Sequence, residues 1–320
     1  MNDIYLIGQA VQSEKVLNKI RQNFNLIQLN RTHDLTKIFT DNRNSYIIWI
    51  HFDTLIDQKF LPYIDKIKIL ASTTTGSTHI DPMILRLIGA KYINLQQMRS
   101  EIQSISSTAE HAWALMTAYH HRIIQSTQDV KNGNWNRQNH LRKKQIRNLK
   151  FGIIGFGRLG KITYEYGKAF GSELYINEID ENLIEKYRGN KNYNFVNLVD
   201  LLNISDYVFL HASIFDEHYP IITRQVLKKV NNPFVLVNTS RGCLVEEESI
   251  IEYIGSGLIL GYLADVVSEE DISANLIESK MFNESKFNDK IILTPHIGGA
   301  SEDAIEFCES LLLDEILNRV

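Results

Sequence analysis

The chain has 320 residues, 44% hydrophobic and 22% charged, with a net charge of −4. That length can bury one or two substantial cores, two domains being the expectation, and the charge balance excludes a global basic field for gathering nucleic acid. Two cysteines, Cys243 and Cys308, exclude a disulfide framework, and no apolar run approaches the roughly 20 residues that span a bilayer.

The N-terminal Met1-Asn2-Asp3-Ile4 lacks the basic and apolar regions of a signal peptide, so a cytoplasmic protein without membrane or nucleic-acid partners is expected. Ile4–Ile7, Tyr46–Ile50 and Ile67–Leu70 read as buried strands separated by helical stretches, the alternation of parallel βαβ units. A long helix is predicted from Ser107 to Gln125, capped by Thr108 or Ser107 and followed by the breaker Asn132-Gly133-Asn134. Arg137–Arg147 is locally basic and carries no aromatic stacking platform, so it reads as a solvated loop or dimer contact. A second βαβ series opens at Lys150–Ile154. It continues with strands at Glu173–Ile176, Tyr207–Leu210, Phe234–Val237, Gly261–Ala264 and Ile291–Leu293, and a closing helix spans Glu302–Asn318.

Gly155-Phe156-Gly157-Arg158-Leu159-Gly160 follows the strand Lys150–Ile154 and precedes a helical pattern, the context a dinucleotide fingerprint requires. Gly155 permits a tight turn, Gly157 lets backbone approach a pyrophosphate at a helix N-terminus, and Gly160 allows close helix–strand packing. The next strand ends at Asn177-Glu178, where a carboxylate meets the ribose hydroxyls. Glu178 is preferred to Asp180, which lies further past the strand, and its charge favours NAD over NADP. A fingerprint in mid-chain implies that the cofactor domain is inserted into another domain or follows a complete one.

Three later residues suit reduction of a 2-oxo acid. Arg241 follows the strand Phe234–Val237 and offers a planar fork for a carboxylate. His296, in Thr294-Pro295-His296-Ile297-Gly298-Gly299, follows Ile291–Leu293 on a shaped loop and can give or take a proton. Glu270 can raise the pKa of that imidazole, although spacing alone does not choose among Glu269, Glu270 and Asp271. Asp265 can accept from a nicotinamide carboxamide or cap a helix. His120 and His121 are adjacent and face different directions, and no Cys/His cluster occurs, so no metal is expected.

These ordered motifs resemble the D-isomer-specific 2-hydroxyacid dehydrogenases, the group that includes D-3-phosphoglycerate dehydrogenase. The likeness runs from about Thr73 to Ser301 and is strongest at Gly152–Gly160, Asn238–Leu244, Gly261–Glu270 and Thr294–Ser301. It implies an α/β fold of two doubly wound parallel-sheet domains, a Rossmann NAD domain at 111–296 inserted into a flavodoxin-like substrate domain formed by 1–110 and 297–320. It implies that Arg241 binds and polarises the substrate, that His296 is the acid/base, and that Glu270 is its partner. Cofactor contacts are then expected at Gly155, Gly157, Arg158, Leu159, Gly160, Glu178, His211, Ala212, Thr239, Ser240, Asp265 and Gly298, and substrate contacts at Thr75, Gly76 and Ser77.

The resemblance also implies a homodimer built from the Ala109-Glu110-His111 helix and the loop through Trp135. This chain departs from the family at Glu178, where aspartate is usual, and at Asp271, where proline is. Further departures are His211-Ala212-Ser213, in place of His-x-Pro, and Leu95–Ser107, which lacks the glycine pattern. Such departures suggest a divergent branch with a specialised substrate, for example a sugar-derived acid. An NAD-sensing, protein-binding scaffold is the alternative, and a formate- or phosphite-type dehydrogenase a third reading.

Overall fold

The computed structural model describes residues 2–29, 39, 45–214, 220–268 and 279–320. Two compact units divide them: 1–105 with 300–320, and 106–299.

The first unit contains β1 (Asp3–Ile7), α1 (Glu14–Asn23), β2 (Asn25–Leu29), β3 (Tyr46–Ile50), β4 (Ile67–Ser72), α2 (Pro82–Ile88) and β5 (Tyr92–Asn94). Its strands form a parallel sheet in the order β2-β1-β3-β4-β5, the flavodoxin-like arrangement. Alternate residues of each strand face opposite sides. Ile4, Leu6, Ile47 and Trp49 pack on one side with Leu312, Leu313 and Ile316, whereas Tyr5, Ile7, Tyr46 and Ile48 pack on the other with Ile84 and Ile88. A sheet covered on both faces requires strands apolar at every position, which Tyr46-Ile-Ile-Trp-Ile50 supplies.

The second unit runs through α3 (Ser107–His120), α4 (Ile123–Lys131), β6 (Lys150–Ile154), α5 (Arg158–Ala169), β7 (Glu173–Asn177), α6 (Glu181–Tyr187) and β8 (Asn194–Phe195). It continues with α7 (Leu198–Ile204), β9 (Tyr207–Leu210), α8 (Arg224–Leu227), β10 (Phe234–Asn238), α9 (Glu247–Ser256), β11 (Ile259–Ala264), α10 (Lys280–Ser285) and β12 (Ile291–Leu293). The final helix, α11 (Glu302–Arg319), belongs to the first unit. The second sheet is parallel in the order β12-β11-β10-β9-β6-β7-β8, so chain order reverses between β6 and β9. Ligands bind beyond the carboxyl ends of strands at such a switch point. Trp113 of α3 stacks on Phe209 of β9 at 5.5 Å, clamping that helix to the sheet.

Several boundaries differ from the sequence reading. The helix expected over 107–125 is two helices, because Arg122 takes a left-handed backbone with φ 56°. The break is anchored on both sides: His120 Nδ1 lies 3.0 Å from the Tyr207 hydroxyl, and the Arg122 guanidinium donates to the Asn139 carbonyl at 2.8 Å. The N-cap of α3 is Ser106, with no side-chain capping bond. The units divide at 105/106 and 299/300, rather than 110/111 and 296/297. α3 packs with α5, β10 and β11, and the amides of Ile297 and Gly298 bond to Asp265 just after β11, so both segments fall in the second unit.

Candidate active site

The glycine loop lies at the switch point. Gly155 has φ 88°, and a methyl there would sit 2.8 Å from the backbone of His211 and Ala212, so only glycine fits between the ends of β6 and β9. A methyl on Gly160 would meet the Gly155 carbonyl oxygen. Around Gly157, by contrast, the space is open, and no side chain caps the N-terminus of α5 that it starts. The positive end of a 12-residue helix without a side-chain cap suits an anion such as a pyrophosphate.

Glu178 folds back over this loop. Its Oε2 accepts from the Phe156 amide at 2.6 Å, and its Oε1 accepts from the amides of Ile179 and Asp180 at 2.8 and 3.0 Å. Asp180 instead caps α6 through the amides of Asn182 and Leu183, which commits it elsewhere. Thr239 is buried, and its hydroxyl has no hydrogen-bond partner among the described residues. The Ser240 hydroxyl is engaged, donating to the Leu210 carbonyl at 2.7 Å. His211 turns its Nε2 to the Thr163 hydroxyl at 2.8 Å. Burial, and secondarily the Arg158 charge, push its pKa down to about 3, so it is a neutral packing histidine at neutral pH. The uncapped helix end, the glycine cradle, the placed carboxylate and the orphaned Thr239 hydroxyl together fit a dinucleotide.

The ends of β10, β11 and β12 lie side by side in the same sheet. Asn238, fully buried at the end of β10, organises the first of them. Its Nδ2 donates to the Arg241 carbonyl at 3.0 Å and to the Tyr262 hydroxyl at 3.2 Å, and its Oδ1 accepts from the Ser240 amide at 3.1 Å. Arg241 itself is half-buried, and its guanidinium donates to the Ser240 carbonyl at 2.6 Å. Just after β11, the Asp265 amide donates to the Asn238 carbonyl at 3.0 Å, and in the loop after β12 the His296 amide donates to the Asp265 carbonyl at 3.1 Å. Backbone and side-chain hydrogen bonds therefore join the Arg241 loop to the His296 loop within one unit.

The Asp265 carboxylate accepts from the Thr294 hydroxyl and from the Ile297 and Gly298 amides at 2.5–2.9 Å, and both of its oxygens are used by the protein. His111 of α3 points into this group, its Nε2 2.9 Å from Thr294 Oγ1. Sequence reading missed Asn238, Thr294 and His111 as site residues. The available signal was a buried polar residue closing an apolar strand, as in Phe234-Val-Leu-Val-Asn238. Glu270, with Glu269 and Asp271, lies outside the described residues.

In the first unit, the loop after β4 is tied by its own side chains. Thr74 Oγ1 donates to the Gly76 carbonyl at 2.6 Å, and Ser77 Oγ lies 3.1 Å from the Tyr92 hydroxyl, with Asn94 Nδ2 donating to both Ser77 and Tyr92 at 3.2 Å. Thr75 is exposed at its tip.

Comparison with known proteins agrees with this architecture. A family model described as D-isomer specific 2-hydroxyacid dehydrogenase, NAD binding domain, matches residues 113–298. The chain is similar to a glyoxylate reductase of Thermococcus litoralis, 28% identical over 270 residues that cover 82% of this chain and 76% of that protein. It is similar also to a hydroxypyruvate reductase of Thermotoga maritima, 28% identical over 238 residues covering 74% and 72%. A solved D-lactate dehydrogenase of Aquifex aeolicus, complexed with NAD and lactic acid, shares the fold with TM-score 0.81 at 22% identity, covering 99% of this chain and 97% of that one. The chain thus belongs to the D-isomer-specific 2-hydroxyacid dehydrogenases, and is an NAD-dependent oxidoreductase of 2-hydroxy acids.

Proposed function

We propose that the enzyme interconverts a short 2-oxo acid of the glyoxylate and hydroxypyruvate class with its D-2-hydroxy acid. The observation that carries the site assignment is the hydrogen-bonded link Arg241–Asn238–Asp265–His296 across three adjacent strand ends. Arg241 holds the carboxylate and polarises the ketone through its planar fork. His296 gives the proton to the new alkoxide, and takes it back in oxidation. Glu270 is the carboxylate partner that the family resemblance assigns to that imidazole. NADH, when bound, supplies the hydride. Gly155, Gly157, Arg158, Leu159 and Gly160 receive the pyrophosphate, Glu178 the ribose, and Ala212, Thr239 and Ser240 line the nicotinamide half.

The test follows NADH absorbance with glyoxylate, hydroxypyruvate, pyruvate, 3-phosphohydroxypyruvate and sugar-derived 2-oxo acids. Oxidation that His296→Ala lowers by about 100-fold or more is expected. Turnover unaffected by His296→Ala would overturn the acid/base assignment. NADH binding without turnover of any acid would favour a sensing scaffold.

We further propose a homodimer formed through α4 and the arm that follows it. Trp135 is 89% exposed there and lines, with exposed Val130 and Leu141, a groove of about 710 Å³. Apolar groups gathered this way mark an interaction surface. Light scattering should give a dimer that Trp135→Asp shifts to monomer. A monomeric wild-type protein overturns it. Among the described residues no helix is long and apolar enough to cross a membrane, and neither cysteine forms a disulfide. A reducing, cytoplasmic setting is the reading these support.

A further inference from the structure

Three consecutive backbone N–H groups converge on one aspartate in the second unit. The His296 amide donates to the Asp265 carbonyl at 3.1 Å, the Ile297 amide to Oδ1 at 2.9 Å, and the Gly298 amide to Oδ2 at 2.6 Å. Successive amides wrap an acceptor in this way when the backbone turns through the left-handed region, and His296 has φ 53°. That conformation is unfavourable for any residue bearing a side chain, so it persists only while the surroundings hold it. Here the Asp265 carboxylate takes the two amides that follow His296.

The carboxylate is itself oriented from behind. Thr294 Oγ1 donates to Asp265 Oδ1 at 2.5 Å. A hydroxyl has one proton, so with that proton spent, Thr294 Oγ1 accepts from His111 Nε2 at 2.9 Å. His111 Nε2 also stands 3.4 Å from Asp265 Oδ1. Burial pushes the Asp265 carboxyl up, but the donors from His111, Thr294, Gly298 and Ile297 together outweigh it and hold it below its ordinary range. The anion that the Ile297 and Gly298 amides bind is therefore kept ionised.

We propose that Thr294 and His111 are positioning residues: they fix the Asp265 carboxylate, the carboxylate fixes the left-handed turn, and the turn aims the His296 imidazole. The inference rests on His296 as the acid/base group. It gives Asp265 a duty beside the nicotinamide contact expected from sequence: both carboxylate oxygens receive protein donors.

The test uses the full-length protein with four variants. Thr294→Val and His111→Leu delete a link, whereas Thr294→Ser and His111→Gln keep a hydroxyl and an N–H donor. Two readouts are taken: NADH oxidation with glyoxylate and hydroxypyruvate, and amide hydrogen exchange of the peptide spanning 294–299 in the absence of substrate. The deleting variants should lower kcat by about 10- to 100-fold, as a misplaced reacting group does. NADH affinity should stay within about threefold, while exchange at Ile297 and Gly298 rises about tenfold or more. The conservative variants should return kcat to within about threefold of wild type.

Thr294→Val within about twofold of wild type, or valine and serine variants equally impaired, overturns the proposal while leaving the reaction intact. A wild-type protein inert toward every acid overturns the reading of the reaction, and this proposal with it. If Thr294→Val does not fold, the His111 pair decides on the same criteria.

Discussion

Replacing Gly242 with alanine should disable turnover while leaving dinucleotide binding in place. A methyl on Gly242 would sit 2.0 Å from the Val267 carbonyl carbon, 2.2 Å from the Ser268 nitrogen and 2.4 Å from the Val267 oxygen. All three are backbone atoms, so no rotamer change relieves the clash. Ordinary contact begins near 3.4 Å, so the Arg241 loop and the segment after β11 must part by 3.4 − 2.0, about 1.4 Å. Strain from such overpacking costs about 1–3 kcal/mol, and an ångström of misplacement at a reacting centre costs about 100-fold in rate. Gly242 follows Arg241 directly, and the Arg241 carbonyl is held by Asn238, so the displacement falls on the guanidinium. The glycine loop after β6 is two strands away from β10. NADH titration by fluorescence should therefore give a Kd within about threefold of wild type, while kcat/KM with glyoxylate falls by about 100-fold. Turnover within about threefold of wild type would refute the steric argument. Equal losses of NADH binding and turnover would refute the claim that the two loops are built independently.

Gly160→Ala has the opposite signature. A methyl there strikes the Gly155 carbonyl, so NADH affinity should drop by about tenfold or more, read by the same titration. Glu178→Gln removes a carboxylate that collects the amides of Phe156, Ile179 and Asp180, and should raise the ratio of NADPH to NADH turnover. An unchanged ratio would show that the carboxylate does not set cofactor choice. In the first unit, Glu309 of α11 accepts from the amides of Gln12 and Ser13, and Glu309→Leu, which strands both donors, should cost about 1–3 kcal/mol for each in urea unfolding. Burial, the largest influence, raises the Glu309 carboxyl above its ordinary range. The stability that comes from its raised pKa is therefore full below the unfolded pKa and is lost as pH rises through the folded one, whereas the two amide hydrogen bonds are made by the carboxylate as well.

The strands were legible wherever burial on both faces made them apolar throughout, as in Tyr46–Ile50 and Tyr207–Leu210. The edge strands β2 and β8 escaped notice because exposure of one side mixes polar residues into them, as in Asn25-Leu-Ile-Gln-Leu29. The glycine loop was readable because its spacing is dictated by steric contacts a few residues apart. The polar group behind His296 was not, since His111, Asp265 and Thr294 come from α3 and the ends of β11 and β12, and only strand order brings them together. The break at Arg122 was equally hidden, because nothing local distinguishes that arginine from its helical neighbours.

His211 and His296 each follow a strand of the second sheet, and the contrast between them yields a further prediction. The His211 imidazole is buried against Thr163, and its pKa falls from 6.5 to about 3. Between those values the unfolded chain binds a proton that the folded chain refuses, so stability decreases as the pH drops through the window. The slope is at most about 1.4 kcal/mol per pH unit for one proton. His211→Gln keeps a hydrogen-bonding group for Thr163, able to donate or accept, and does not titrate. Urea midpoints measured from pH 7 to pH 4 should therefore fall more steeply for wild type than for the variant, the two curves diverging below about 6.5. The turnover profile between pH 6 and 8 should be the same in both, because His211 stays neutral throughout that range. Parallel stability curves would mean that His211 does take up a proton in the folded protein. A displaced turnover profile would assign it a part in proton transfer that its burial forbids.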